Sequence, residues 1–263
     1  MPTNISRALA CSLLITASPV IVARAGDGSP GLEIHKFGGL EMGYGTYAFP
    51  EKLDQTIVFP VANFTGGLAY QRFNLALNIS GSVEDAEVSE EDFIGDASRQ
   101  DLDITFGYQA SDLFSVFVGY KSGETSLDLF VRDSATRATD YEYYRQSGPF
   151  AGLNIGKSFT NAGKLDFSVA YASLDAENRF FGDGDGVEAG EILEFDDIND
   201  KTNGSSSGYS INLGWTIPMS GNLLFRSKLR YNSYQQDIRF GTVRFDNVSE
   251  QSTMLLAGII GVF

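Results

Sequence analysis

Strict alternation of side-chain character constrains this chain more than any other feature of its sequence. In Leu102-Asp103-Ile104-Thr105-Phe106-Gly107-Tyr108-Gln109 the apolar set occupies the even positions. In Tyr209-Ser210-Ile211-Asn212-Leu213-Gly214-Trp215-Thr216-Ile217 it occupies the odd ones. Phe73, Leu75, Leu77 and Ile79 alternate with Asn74, Ala76, Asn78 and Ser80, and Leu165, Phe167, Val169 and Tyr171 repeat the pattern. A period of two is the period of a β-strand, so these segments read as strands with one apolar and one polar face. The prolines at 30, 50, 60, 149 and 218 fall at strand ends or in links, where no ladder hydrogen bond is lost.

The polar faces narrow the class further. In a soluble sandwich the apolar faces meet across a core. Here they carry Tyr, Phe and Trp near strand ends, as the aromatic girdles of a membrane barrel do, and the faces rich in Asn, Ser, Thr and Gly suit an interior. Link lengths alternate as well. Short links near 71–74, 110–112, 160–163 and 218–221 separate long polar ones near 49–60, 84–100, 133–146, 176–206 and 238–250. Short turns on one rim and long loops on the other predict an all-β, antiparallel, up-and-down transmembrane barrel of about ten strands, with eight or twelve left open.

The N-terminus reads differently. Arg7, the apolar run 8–15 and Ala23-Arg24-Ala25 make a secretory signal peptide over 1–25, leaving 26–263 as the barrel domain. Its removal takes away the only Cys, Cys11, so the mature chain has no thiol chemistry. With 34 acidic against 19 basic residues, nucleic-acid binding is not expected.

The segment Thr253-Met254-Leu255-Leu256-Ala257-Gly258-Ile259-Ile260-Gly261-Val262-Phe263 ends in an aromatic residue preceded by small or apolar residues at 255, 257, 259 and 261. It resembles the C-terminal signature of bacterial outer-membrane β-barrel proteins. That resemblance implies an outer-membrane location, contact with outer-membrane lipid and lipopolysaccharide, and Phe263 as a signal read by the barrel-assembly machinery. The ten-stranded relatives it implies include omptin proteases and an opacity-type adhesin. Enzymes of this class are expected to need a His at the catalytic rim, and the lone candidate, His35, starts the first strand at the periplasmic end. No enzymatic activity and no required cofactor are expected.

Two further groups stand out. In 222–236 the alternation points Arg226, Lys228 and Arg230 inward, because charges on the lipid face would cost on the order of 2–4 kcal/mol each. Glu41, Asp103 and Asp166 point inward by the same rule, giving either an ion-paired, filled interior or a selective constriction. More than half of the 34 acids fall in 84–103 and 175–200, read as solvated loops. Within the second, Asp183, Asp185, Glu191 and Glu194 partly resemble a Ca2+ loop, with Gly184 and Gly186 for the turn. The functions that fit are a porin-like channel or a structural membrane protein, with a loop-borne adhesin or ligand-binding barrel as the alternative.

Overall fold

A computed structural model describes residues 34–50, 52–53, 55–89, 93–131, 139–160, 162–181 and 198–263. The signal-peptide segment and the candidate Ca2+ ligands Asp183, Asp185, Glu191 and Glu194 lie outside the described residues. Among those described, the strands are β1 (Ile34–Ala48), β2 (Ile57–Tyr70), β3 (Phe73–Ser82), β4 (Ala86–Ser89), β5 (Phe93–Gln109), β6 (Phe114–Val131), β7 (Thr139–Phe159), β8 (Gly163–Arg179), β9 (Lys201–Ser220), β10 (Leu223–Phe240) and β11 (Val243–Val262). Every neighbour is antiparallel, and β1 pairs with β11 to close the sheet.

The wall has ten strands, because β4 prolongs β3. Pairing with β5 runs to Gly81↔Gln100 and resumes at Ala86↔Ala97, so one strand takes five steps where its partner takes three. That is an extended β-bulge rather than an eleventh stave. Following one row of paired residues around the barrel gives its stagger. The row runs Glu250, Tyr234, Gly208, Ala172, Phe150, Gly119, Thr105, Ala76, Gly67 and Phe37, and returns to β11 at Val262. The displacement is twelve residues. Ten strands with that shear tilt by roughly 40° and enclose a backbone cylinder of about 10 Å radius.

Curvature that tight is managed by setting rings over glycines. The Phe150 ring lies where a Cβ on Gly119 would be, Phe117 does the same at Gly152, and Phe37 at Gly67. Each is a neighbour in the register, so a bulky side chain fills the space its partner leaves empty.

The belt facing outward is apolar: Leu40 and Met42 on β1, Val116 and Val118 on β6, Leu153 and Ile155 on β7, Leu255 and Ile259 on β11. Tyr44, Tyr120, Tyr171 and Tyr209 edge it on the long-strand side, and Phe73, Phe159, Trp215 and Phe263 on the side of the short turns. These are the two girdles of a membrane-spanning wall, and the short turns mark the periplasmic rim. Phe263 sits there with its backbone bonded both ways to Lys36 (3.0 and 2.8 Å) and its ring 76% exposed.

Three of the expected long loops are corrected by the structure. Most of 84–100 is β4 and β5, residues from 139 onward belong to β7, and 238–250 is a hairpin that turns at Gly241 and Thr242. Strands of 17 to 21 residues, against the roughly 10 that span a bilayer, carry the barrel well past the outer girdle as a collar. The reason is a switch of phase. On β10 the outward residues change from Phe225, Leu229 and Tyr231 to Ser233, Gln235 and Asp237, while the inward ones change from Arg226, Lys228 and Arg230 to Tyr234, Gln236 and Ile238. The β6 strand switches likewise, from outward Val116 and Val118 to outward Glu124 and Asp128, with Leu127 and Leu129 turned in. Below the girdle the wall is a membrane protein. Above it the wall is a water-soluble barrel with its own core.

Candidate functional site: an ionic layer under an apolar seal

Inside the membrane belt all six predicted interior charges are buried. Cross-strand neighbours in one row are Asn63, Glu41, Gly258, Arg226, Thr216 and Lys164. Gly258 is the gap in that row, and across it Arg226 Nε reaches Glu41 Oε1 at 3.0 Å. Lys228 Nζ approaches the other oxygen at 3.5 Å, and Asn63 Nδ2 donates to it at 2.6 Å. Arg230 Nη1 crosses the barrel to Asp103 Oδ2 at 2.7 Å, with Nε donating to Asn212 Oδ1 at 3.0 Å. Asp166 is placed in the same layer with its carboxylate over Gly214, where a Cβ would come within 2.6 Å. Lys228 nevertheless turns to Glu41 rather than to Asp166, its register neighbour across Gly214.

Several charged groups of the interior lie outside the predicted set. Arg99 and Asp101, both assigned to an acidic loop by sequence, face inward from β5 and pair at 2.9 Å, with Arg99 Nη1 also donating to Thr125 at 2.8 Å. Lys121 donates to the Tyr234 hydroxyl at 2.5 Å. Between Asp103, Lys121, Arg230, Asn212 and Asn232 remains a cavity of about 30 Å³. That is room for about two water molecules.

The collar closes over this layer. Tyr47, Phe49, Leu53, Ile57, Phe59 and Tyr144 pack with Phe180, Ile198, Ile238 and Val248 in one buried cluster. Phe49 lies 4.7 Å from the Tyr144 ring, which meets Phe180 edge-on at 5.8 Å. The segments that bring Phe49 and Phe180 inward are tied together. Lys52 Nζ donates to the Phe181 carbonyl (3.2 Å), and the Phe181 N–H donates to Glu142 Oε2 (3.0 Å).

Glu250 is buried at the floor of the collar, five residues above the last belt residue of β11. Gln146 and Gln236 donate to one of its oxygens, the latter at 2.6 Å. Burial pushes this carboxyl above its ordinary 4.5, against the pull of Arg99 and Lys121 and with the repulsion of Asp101. A raised carboxyl pKa means the folded state holds the proton more tightly than the unfolded chain. The stabilisation is complete below the unfolded value and is lost as pH rises through the folded one. Glu250→Gln keeps an acceptor for both amides and removes the buried charge. It is therefore expected to raise the urea midpoint at pH 8 and leave it nearly unchanged at pH 4. Equal shifts at both pH values would show that the charge is not what limits the collar.

Among the described residues no group of three or more carboxylate, imidazole or thiol side chains is arranged to hold a metal. His35 pairs with Ala69 at the periplasmic rim, far along the strands from the collar.

A closed, even-stranded antiparallel wall with apolar outside, aromatic girdles and polar interior defines an outer-membrane-type β-barrel. No family model matches the chain, and no curated protein matches it in sequence. Among solved structures it is similar to the outer membrane protease OmpT from Escherichia coli, at 10% identity over 88% of this chain and 96% of that one, with a TM-score of 0.48. It is also similar to the translocator domain of the autotransporter NalP from Neisseria meningitidis, at 11% identity over 90% of each chain and a TM-score of 0.46. The beta domain of the Bordetella autotransporter BrkA gives 9%, 88%, 99% and 0.46. At such identities no residue role transfers to this chain.

Proposed function

We propose that this is a non-conducting, non-enzymatic outer-membrane barrel whose working part is its outer surface. One observation carries the reading: the interior is blocked twice in series. Arg230 on β10 crosses the interior to Asp103 on β5, the Glu41–Arg226–Lys228 cluster lines the wall beside it, and the aromatic cluster of Phe49, Tyr144 and Phe180 fills the collar above. A cylinder of about 10 Å backbone radius leaves little axial space once side chains of that length enter it. Porin-like conduction, one of the functions that fits the sequence, would need both layers to move aside. The collar extends the barrel as paired strand rather than long loops, so it presents a stiff polar surface suited to interaction with other envelope components. Purified protein in a planar lipid bilayer is expected to show no steady conductance. Reproducible unitary steps in the parent protein would overturn the sealed reading and restore the channel.

A further inference from the structure

The charges of the ionic layer do not balance. Arg230 and Asp103 answer one to one, and Lys121 bonds the Tyr234 hydroxyl. Beside them three cations, Lys164, Arg226 and Lys228, face two carboxylates, Glu41 and Asp166, and all five are buried. Glu41 serves both Arg226 and Lys228. Among the described residues no carboxylate oxygen comes within 4 Å of Lys164 Nζ, and no cationic nitrogen comes that close to Asp166. One positive charge is left over, in an interior where an uncompensated charge is expensive.

The surplus lies beside donors with nothing to donate to. Arg226, Thr216 and Lys164 follow one another in a single cross-strand row on β10, β9 and β8, all facing inward. Directly opposed residues stand roughly 5 Å apart at Cβ, so the Thr216 hydroxyl lies between two cations. Neither Arg226 Nη1 nor Thr216 Oγ1 has a hydrogen-bond partner among the described residues, and both are shielded from bulk solvent. Buried polar atoms are nearly always satisfied, so an orphan guanidinium N–H beside an orphan hydroxyl calls for an acceptor. Neither nearby carboxylate supplies it. Glu41 stands on the other side of Arg226, across Gly258, and the Asp166 carboxylate lies over Gly214 in the next row. A water would accept from both donors and leave the surplus charge in place. A monovalent anion answers both needs, through charge-assisted bonds from Arg226 and Lys164. The shielding of the two donors admits only a small, bare anion. Lys164 directly follows the turn glycine Gly163 at the periplasmic rim, which sets the site within reach of periplasmic water.

We propose that the periplasmic half of the barrel interior binds one halide-sized monovalent anion, held by Arg226 Nη1, Thr216 Oγ1 and Lys164 Nζ. The site lies below the collar and does not depend on whether the barrel conducts. The test is urea unfolding in sodium chloride and in sodium gluconate of equal ionic strength, gluconate being too bulky to enter. For the parent, chloride should lower the unfolding equilibrium constant about tenfold, the linkage expected at about ten times its dissociation constant. Thr216→Val keeps the side-chain shape, removes the hydroxyl and should lose most of that difference. Lys164→Met should lose all of it and, in gluconate, be at least as stable as the parent, because it removes the surplus charge itself. A merely structural lysine would instead weaken the barrel in both salts when lost, and that result would overturn the site. Crystals grown in sodium bromide should show an anomalous peak between Arg226 and Thr216. Boiling-dependent gel migration reports whether each variant is folded, and Thr216→Val carries the test alone if Lys164→Met fails. Equal midpoints of the parent in the two salts would also overturn the site. So would an undiminished chloride effect in the folded variants, which marks a general salt effect, or bromide crystals without the peak, which would leave a water between the donors.

Discussion

Glu41→Gln is expected to cost about 3–5 kcal/mol of folding stability, while Lys228→Met stays within about 1 kcal/mol of the parent. The asymmetry follows from what each change leaves behind. Glu41 is fully buried and answers two cations at once, Arg226 at 3.0 Å and Lys228 at 3.5 Å. An amide in its place leaves both cations in a poorly hydrated interior without the carboxylate that pairs with them. Losing one partner of a buried pair strands the other, which is the expensive case. Lys228 stands between Arg226 and Arg230 on one face of β10, so removing it also removes two like-charge neighbours while Arg226 keeps Glu41. The double variant should fall between the singles, with a coupling of about 1 kcal/mol or more because the residues touch. Urea unfolding followed through the lone tryptophan, Trp215, which faces outward in the belt, reads all three. A Lys228→Met cost as large as that of Glu41→Gln would mean that the ammonium, not the carboxylate, organises the layer.

Which residues face inward was legible from alternation alone, because a strand offers only two faces and hydrocarbon excludes charge from the one turned towards it. Arg226, Lys228, Arg230, Glu41, Asp103 and Asp166 are all buried as that rule requires. Which of them meet was not legible. Arg226 reaches Glu41 because both stand against Gly258 of β11, and the β1–β11 register that puts Glu41 there joins the two ends of the chain and is written in neither strand alone. The collar was hidden for another reason. A search for apolar-out, polar-in strands ends at the girdle, where the phase reverses, so β4, the start of β5 and the β10–β11 hairpin looked like polar loops. Arg99 and Asp101 were lost with them, as were Glu142 and Glu250. A signal was present in the sequence: Leu127 and Leu129 alternate with Ser126 and Asp128 in the same strand as Val116 and Val118, with the parity exchanged. A change of parity within one unbroken strand means that the solvent outside has changed from lipid to water.

Two solvents imply two cores, and the second can be removed without the first. Phe180→Ala together with Phe49→Ala should destabilise the collar by several kcal/mol, since truncating one fully buried Phe costs about 3–5 kcal/mol and the two share a cluster, making simple addition an upper bound. Below the collar the wall is held by different groups: the ionic layer, the Phe37, Leu224 and Ile260 cluster near the periplasmic rim, and the Phe117, Ala170 and Phe150 packing. None of these touches Phe49 or Phe180 through the apolar cluster that fills the collar. The variant should therefore keep its boiling-dependent gel shift while added protease cuts beside Lys52, between β1 and β2, where the parent's Lys52 bonds the Phe181 carbonyl. Conductance separates the two barriers. Opening the collar alone should leave the bilayer silent, because Arg230 still crosses the interior to Asp103 with the Glu41, Arg226 and Lys228 cluster on the wall beside it. Steady steps should appear only when Arg230→Ala and Asp103→Ala are added to the collar variant. Current through the collar variant alone would show that the ionic layer does not close the barrel, and the seal would then rest on the aromatic cluster by itself.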